Sequence, residues 1–527
     1  MSANPFTDIP ARGWELRFEQ YDAGDEGRRE VLLALGNGVF VTRAAAIDSR
    51  RDETHYPGTY RAGCYNRLAT VIADHRDETE SLVNLPNWLP LACRLPGEAW
   101  LQLDSARIRQ YAHWLDMRSG CMHRDYVLQD ESGRQTAFRE TRIVSMADPH
   151  CAALQLELTP LDWSGELEIR SAIDGDVANT NVERYADYAS QHLDTFSHVR
   201  QDDCVFVQTC TSQSRITIAQ AARIRIDGGM QQAACVETAI AETRSLGTLY
   251  RIAVKRGTTV VIAKFASLFT SLDGSDDPRQ SALRAVTQAS FPAWRDAHVR
   301  AWGELWRRTG LEVDKEEFAR PLRFHAFHIL QTASPHLAAS DAGIPARGWH
   351  GEGYHGHIFW DELFVFPFLI SRFPETAKAC LMYRYPRLNA AREAAQQAGY
   401  RGAMYPWRSA GDGREVTPEH QKNPISGEWM EDHTYLQRHV GAAIVYNIWH
   451  YFMATGDDAF LADCGAEMML DIARFWSSIA VPREEAGCRD GRFQICGVIG
   501  PDEYHNAYPW RDRPGLDNNA YTNVMAV

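Results

Sequence analysis

The sequence predicts a large antiparallel β-sandwich joined by a helical linker to an all-α domain, and three observations carry that expectation. Apolar residues alternate with period two from about Trp14 to Thr270, the period changes near Ser281, and the chain after Val313 is rich in helical patterns joined by unusually long loops. At 527 residues it is too long for one core, so several domains are expected. Their boundaries are read as residues 1–275, 276–313 and 314–527.

In the first region Leu154, Leu156 and Leu158 alternate with polar neighbours. So do Leu167, Ile169 and Ile173, then Ile224 and Ile226, then Ile252 and Val254. This is the pattern of half-buried strands. Turn residues such as Lys255-Arg256-Gly257 and Asp227-Gly228-Gly229 separate them, with no helices interleaved. In the second region Trp294, His298, Trp302 and Trp306 recur every four residues, an aromatic stripe on one helical face that is more often packing than a cofactor box. In the third, helices are expected over Pro321 to Thr332, Pro374 to about Tyr383, Thr434 to Thr455 and Met468 to Ile479. Gly456-Asp457-Asp458 should stop the third of these. Loops this long in a compact domain usually bind or catalyse something.

The composition, 45% hydrophobic and 24% charged, is that of a globular protein. A net charge of -14 without a basic block argues against nucleic acid and suits a neutral substrate. The start lacks a signal pattern, and the longest clean apolar run, Phe364 to Ile370, is too short to span a bilayer, so a cytoplasmic location and no membrane contact are expected. Eleven cysteines without a C-x-x-C pair suggest reduced thiols. The end, Asn518 to Val527, looks like the beginning of another apolar helix and suggests a truncated chain.

Three loop clusters could carry chemistry. Gly500-Pro501-Asp502-Glu503-Tyr504-His505 follows a strand-like run, Phe493 to Ile499, and puts two acids beside an aromatic and a histidine. A carboxyl lodged against rings loses solvation and can hold a proton near neutrality. By spacing alone, a Gly-Pro turn with solvated acids is the commoner use of such a run. His357-Ile358-Phe359-Trp360-Asp361-Glu362 opens an apolar helix and sets its acids near the positive end. Trp360 could stack on a sugar face while Asp361 accepts its hydroxyls. A helix cap beside a core tryptophan is an equal alternative. The third cluster, Tyr405 to Arg408 with Ser426 to Asp432, again pairs Trp407 and Trp429 with Arg408, Glu431 and Asp432. Recurrence of this pairing in three loops favours one aromatic-lined pocket.

Two patterns are discounted. Gly351 to Gly356 satisfies G-x-G-x-x-G, but no βαβ unit surrounds it, so no dinucleotide site is expected. His350, His355 and His357 lack a ligand spacing, and no metal is expected.

Taken together the motifs resemble glycoside hydrolase family 65, the inverting maltose, trehalose and kojibiose phosphorylases and their hydrolytic relatives. Leu35 to Phe40 with Thr42-Arg43, Tyr56 to Tyr60 and Leu85 to Trp88 are similar to its N-terminal sandwich. HIFWDELFVFPFL, YPWRS, ARFW, GPDEYH and NNAYTN follow in the family's order. The resemblance implies a β-sandwich, a linker and an (α/α)6 barrel, of which the helices after Val313 supply the first part. It makes Glu503 the general acid and puts Trp360 and Asp361 on the glucose whose anomeric carbon is attacked. Trp407, Arg408, Trp429, Glu431, Asp432 and His505 are the further candidate substrate contacts. The ELF after GHIFWD departs from the phosphorylases' usual residues, and the spacing from Trp429 to His439 differs.

The mechanism so implied is protonation of the glycosidic oxygen by Glu503 while a nucleophile attacks the opposite face. With inorganic phosphate as co-substrate the product is β-glucose 1-phosphate. With water, a second carboxylate roughly 6.5–9.5 Å from the acid would be needed. No cofactor is expected, the partner is a neutral disaccharide, and the resemblance suggests a homodimer. The alternatives are an inverting hydrolase of the same bonds and, from another class, an inactive sugar-binding fragment.

Overall fold

Alternation does what the sequence asks of it in the strand Cys151–Pro160, where Leu154, Leu156 and Leu158 are buried on one side while Gln155, Glu157 and Thr159 stay half exposed. The computed structural model describes residues 13–72, 75–104, 107–228, 236–242, 244–423, 425–482, 491–501 and 505–527. This strand lies at the centre of a nine-stranded sheet. In spatial order the strands are Glu15–Phe18, Arg107–Asp116, Cys121–Gln129, Gln135–Val144, Cys151–Pro160, Val260–Thr270, Thr217–Asp227, Cys204–Thr211 and Leu193–Gln201, each antiparallel to its neighbours. A four-stranded antiparallel sheet, Val236–Glu242, Ser245–Val254, Gly165–Asp174 and Leu91–Arg94, is the second layer. Leu128, Phe138, Leu154 and Leu156 of the first share one core with Leu167, Ile169, Ile252 and Val254 of the second. That is the expected sandwich. A short helix, Glu26–Leu32, and a 3-10 turn, Glu183–Tyr185, are interleaved with the strands, where the sequence pattern predicts no helices.

The outer face of the large sheet is not left to water. Ala153, Ala219 and Ala221 are small enough to let helix Pro278–Thr287 lie close, and they pack with Phe265, Ala282, Val286 and Phe291 in a second buried cluster. Helix Phe291–Thr309 carries the aromatic stripe, and its role is packing. Trp302 stacks between Phe327 and Trp306, with ring centroids 4.6 and 6.0 Å away. His298 Nε2 donates to the Gly120 carbonyl at 3.0 Å, and the Met146 amide donates to its Nδ1 at 3.0 Å. Gly120 has φ +69°, and a side chain there would overlap the Trp302 indole.

The α-helices beyond it, among the described residues, are Glu316–Thr332, Glu362–Arg372, Pro374–Met382, Leu388–Gln397, Val440–Thr455, the short turn Asp458–Phe460, Ala466–Ile479 and Ala520–Ala526. Three sequence expectations are corrected. The first helix begins five residues before Pro321, which sits inside it on an exposed turn where the carbonyl it leaves unbonded can reach water. The helix expected from Thr434 starts at Val440, after a 3-10 turn over Thr434–Leu436, because the Leu436 carbonyl accepts the Ile499 amide at 3.0 Å instead of continuing the helix. The strand expected over Phe493 to Ile499 is limited to Phe493–Gln494; Gly497, at φ +70°, turns the backbone, and Val498 makes only a single bridge to Leu516. Gly456 ends its helix in the left-handed conformation, as its position suggested.

The sandwich and the helical region meet through buried polar contacts. Tyr56 and Tyr60 donate their hydroxyls to Glu352 Oε1 at 2.6 and 2.9 Å, and the Asn181 amide donates to Oε2 at 2.9 Å. Tyr65 donates to the Gly356 carbonyl at 2.5 Å, and His357 Nε2 to the Glu80 carbonyl at 2.6 Å. No described helix is long and apolar enough to cross a membrane. The nine described cysteines are all unbridged; Cys235 and Cys488 lie outside the described residues.

Candidate active site

Two loop segments are tied together by backbone bonds, and that pairing builds the site. Ile358 and Ser409 exchange amide-to-carbonyl bonds of 2.9 and 3.0 Å, so the segment before Trp360 runs against the segment after Trp407. Glu362, buried at the first position of its helix, pairs with Arg384 at 2.8 Å and accepts the Ile344 amide at 3.1 Å. Arg384 also donates to the Phe359 carbonyl at 3.0 Å. Glu415 receives the Trp407 and Arg408 amides at 2.7 and 3.1 Å and holds the second segment in place.

The result is a cluster of rings. Trp360 meets Trp407 at 6.3 Å, His439 at 4.8 Å and Tyr521 at 5.7 Å between centroids, and Trp407 meets Phe359 at 5.5 Å and His439 at 5.1 Å. Trp360 is half-buried, which leaves part of its ring available. Asp361, beside it, is at the N-cap of helix Glu362–Arg372 but makes no side-chain cap bond. Burial raises the pKa of its carboxyl, and the Arg347 charge partly opposes that rise. His439 is held neutral, its pKa pushed down to about 4 by burial. Among the described residues, the buried Trp407 Nε1, both ring nitrogens of His439 and both amide atoms of Gln437 show no close hydrogen-bond partner. Leaving each such group unsatisfied costs about 1–3 kcal/mol.

The other candidate residues separate into groups. Arg408 Nη2 bonds the buried Asp432 Oδ2 at 3.1 Å, Gln421 donates to the same oxygen, and Oδ1 accepts the Thr434 amide and hydroxyl at 2.9 and 2.6 Å. The carboxylate of Asp432 is fully engaged by the protein. Arg408 also lies over Phe359 and Tyr354, 5.6 and 5.9 Å from the ring centroids. Trp429 belongs to a small hairpin, Trp429–Glu431 against His420–Lys422, and packs edge-on against Tyr188 at 5.5 Å. Tyr188 comes from the sandwich region and donates to the His420 carbonyl at 2.6 Å. Glu431 is exposed, with His433 3.4 Å away, and His505 is exposed. Glu503, with Asp502 and Tyr504, lies outside the described residues. The described residue Ile499, four before it, bonds Leu436, three residues from His439.

His439 and Tyr521 join the ring cluster, though the acid-plus-tryptophan pattern did not select them, and Gln437 is buried two residues before His439. Tyr521 stood in the quoted NNAYTN motif, and a histidine opening an apolar helix was the available signal for His439. The three histidines His350, His355 and His357 do not form a ligand set. His355 stacks between Tyr185 and His357, and His350 packs against His328. Among the described residues Asp77, Glu419 and His420 have ligand atoms close enough to share an ion, and there His420 Nδ1 is already bonded to Asp77 at 3.0 Å.

Residues 16–305 match the N-terminal domain of glycosyl hydrolase family 65, and residues 323–527 match that family's central catalytic domain. An uncharacterized glycosyl hydrolase of Mycobacterium tuberculosis is 44% identical over 98% of this chain and 39% of its own length. A kojibiose phosphorylase of Caldanaerobacter subterraneus subsp. tengcongensis is 32% identical over 97% of this chain and 65% of its own. A trehalose 6-phosphate phosphorylase of Lactococcus lactis is 34% identical, over 96% and 64%. The chain thus spans less than two thirds of the length of each. A solved human-microbiome protein, provisionally named a kojibiose phosphorylase, shares the fold with a TM-score of 0.81 at 19% identity, over 98% of this chain and 65% of that one. With both domain matches falling in order on one chain, and the loop motifs paired in space, the chain belongs to glycosyl hydrolase family 65.

Proposed function

We propose that this protein cleaves an α-glucosidic bond of a disaccharide with inversion, by phosphorolysis to β-glucose 1-phosphate, using Glu503 as the proton donor. The observation that carries the reading is the ring cluster of Trp360, Trp407, His439 and Tyr521, in which Trp360 and Tyr521 keep part of their rings accessible beside the Asp361 carboxyl. A pyranose answers both features. Its C–H face stacks on the half-buried Trp360 indole, and its hydroxyls donate to a carboxylate at the edge of the rings. Asp361, unspent in capping, accepts from hydroxyls of the same glucose.

Glu503 then protonates the glycosidic oxygen, and phosphate attacks the anomeric carbon from the opposite face through an oxocarbenium-like state. Arg408 and Asp432 serve as a positioning pair, since Asp432 has no free acceptor for a sugar. The kojibiose and trehalose 6-phosphate phosphorylases among the relatives favour phosphate as the nucleophile. The helices after Val313 fit the first part of an (α/α)6 barrel with the ring cluster at its mouth. Hydrolysis is the second reading, favoured by the 44% identical relative named a glycosyl hydrolase.

The test is product analysis of the intact protein with kojibiose, trehalose and maltose, each with and without inorganic phosphate. β-Glucose 1-phosphate that forms only when phosphate is supplied is the expected result. Free glucose at a rate indifferent to phosphate would replace phosphorolysis by hydrolysis, and no product from any α-glucoside would sink the enzymatic reading.

A further inference from the structure

Between the sandwich and the helical domain lies a cleft of about 500 Å³ whose lining includes Arg43, Arg184, Arg347, His350, Glu352 and Tyr354. Its charge is one-sided. Arg43 is paired with Glu30 at 3.3 Å, but Arg184 and Arg347 have no carboxylate oxygen within 4.0 Å among the described residues. Glu352, the one acid in this lining, has its oxygens taken by Tyr56, Tyr60 and the Asn181 amide, and burial raises its pKa. Two buried polar atoms of lining residues, Arg43 Nε and His350 Nδ1, lack a hydrogen-bond partner among the described residues. Arg184 is partly accessible and Arg347 exposed, so both can reach a ligand, and two cationic forks in one cleft suit an anion better than a neutral hydroxyl. A phosphate group is such an anion, and its oxygens accept forked N–H donors at charge-assisted strength.

The cleft adjoins the ring cluster. Arg347 lies 5.5 Å over the Tyr354 ring, Tyr354 packs on Phe359 at 5.4 Å, and Phe359 packs on Trp407 at 5.5 Å. The Arg347 charge is also felt at the Asp361 carboxyl. Resting on the glucoside reading of that cluster, we infer that Arg184 and Arg347 receive the phosphate ester of a phosphorylated hexose, making a phosphorylated α-glucoside the preferred substrate. Inorganic phosphate offers the same oxygens without the sugar, so the two sources must be separated.

Calorimetric titration of the intact protein with glucose, glucose 6-phosphate and inorganic phosphate does so. In the unmodified protein, glucose 6-phosphate is expected to bind at least about tenfold more tightly than glucose, a difference of about 1.4 kcal/mol. The ratio of the two affinities is the readout, so any change common to both cancels. It should fall to about one in the R184A/R347A double variant and recover in part when R347K replaces R347A. Asp361→Asn should weaken both sugars and leave the ratio intact. Equal affinities in the unmodified protein, or a ratio that survives loss of both arginines, would overturn the inference. So would inorganic phosphate binding as tightly as the ester and failing in the same variants, which would make this a site for free phosphate. Glucose 6-phosphate binding that needs the arginines but not Asp361 would support the cleft and sink the ring-cluster reading instead.

Discussion

Arg408 and Asp432 are adjacent to the sugar-facing rings yet spend their charges on each other, and that decides what their loss would do. A buried ion pair gains little over an apolar pair, but removing one member strands the other without solvent. Asp432→Ala is therefore expected to cost about 3–5 kcal/mol of stability in urea unfolding, whatever it does to turnover. A change below about 1 kcal/mol would show that water reaches Arg408. At this scale the sequence was informative wherever partners are neighbours along the chain: Trp360 beside Asp361 and Trp407 beside Arg408 were legible as pairs. Gln437 and His439 were not, since the burial of a polar side chain is visible only once its surroundings are assembled. The exposed positions of Glu431 and His505 were equally hidden, because proximity to a motif says nothing about which way a loop turns.

Among the elements, period two and period four identified strands and helices well, and the errors sit at ends. Pro321 suggested a start where the helix in fact tolerates a missing bond on a wet turn. Thr434 suggested a helix where Leu436 bonds Ile499. Both depend on contacts from outside the element, which local pattern cannot supply. Gly120 belongs here too: it joins two strands of the large sheet with φ +69° and lies against Trp302 of the linker helix. Gly120→Ala combines backbone strain with a clash, so it should lower stability by more than about 1 kcal/mol in denaturant unfolding. Gly257→Ala, also at positive φ but with nothing within 4 Å, is the control and should cost less.

For the whole molecule, the order sandwich, linker, helices was legible, but the docking of the two large units was not. It relies on Tyr56, Tyr60, Tyr65 and Glu80 finding partners almost 300 residues away. The same interface predicts a pH dependence. Burial pushes His350 and His357 down to about 3 and His328 and His439 down to about 4, so all are neutral in the folded protein above those values. The unfolded chain takes up protons near pH 6.5. Their contribution to stability is therefore complete above pH 6.5 and is lost as pH falls toward 4. Each histidine contributes about 1.4 kcal/mol per pH unit in that window. Urea midpoints measured from pH 7.5 to 4.5 should fall, and less steeply in His357→Gln; a flat profile would contradict neutral burial. The central proposal, that Glu503 is the proton donor, is tested most directly by comparing two substrates in Glu503→Gln. Fluoride leaves without a proton, so turnover of α-glucosyl fluoride should be nearly preserved while turnover of the accepted disaccharide falls about 10²–10⁴-fold. Equal losses on both substrates, or near-normal cleavage of the disaccharide, would contradict it.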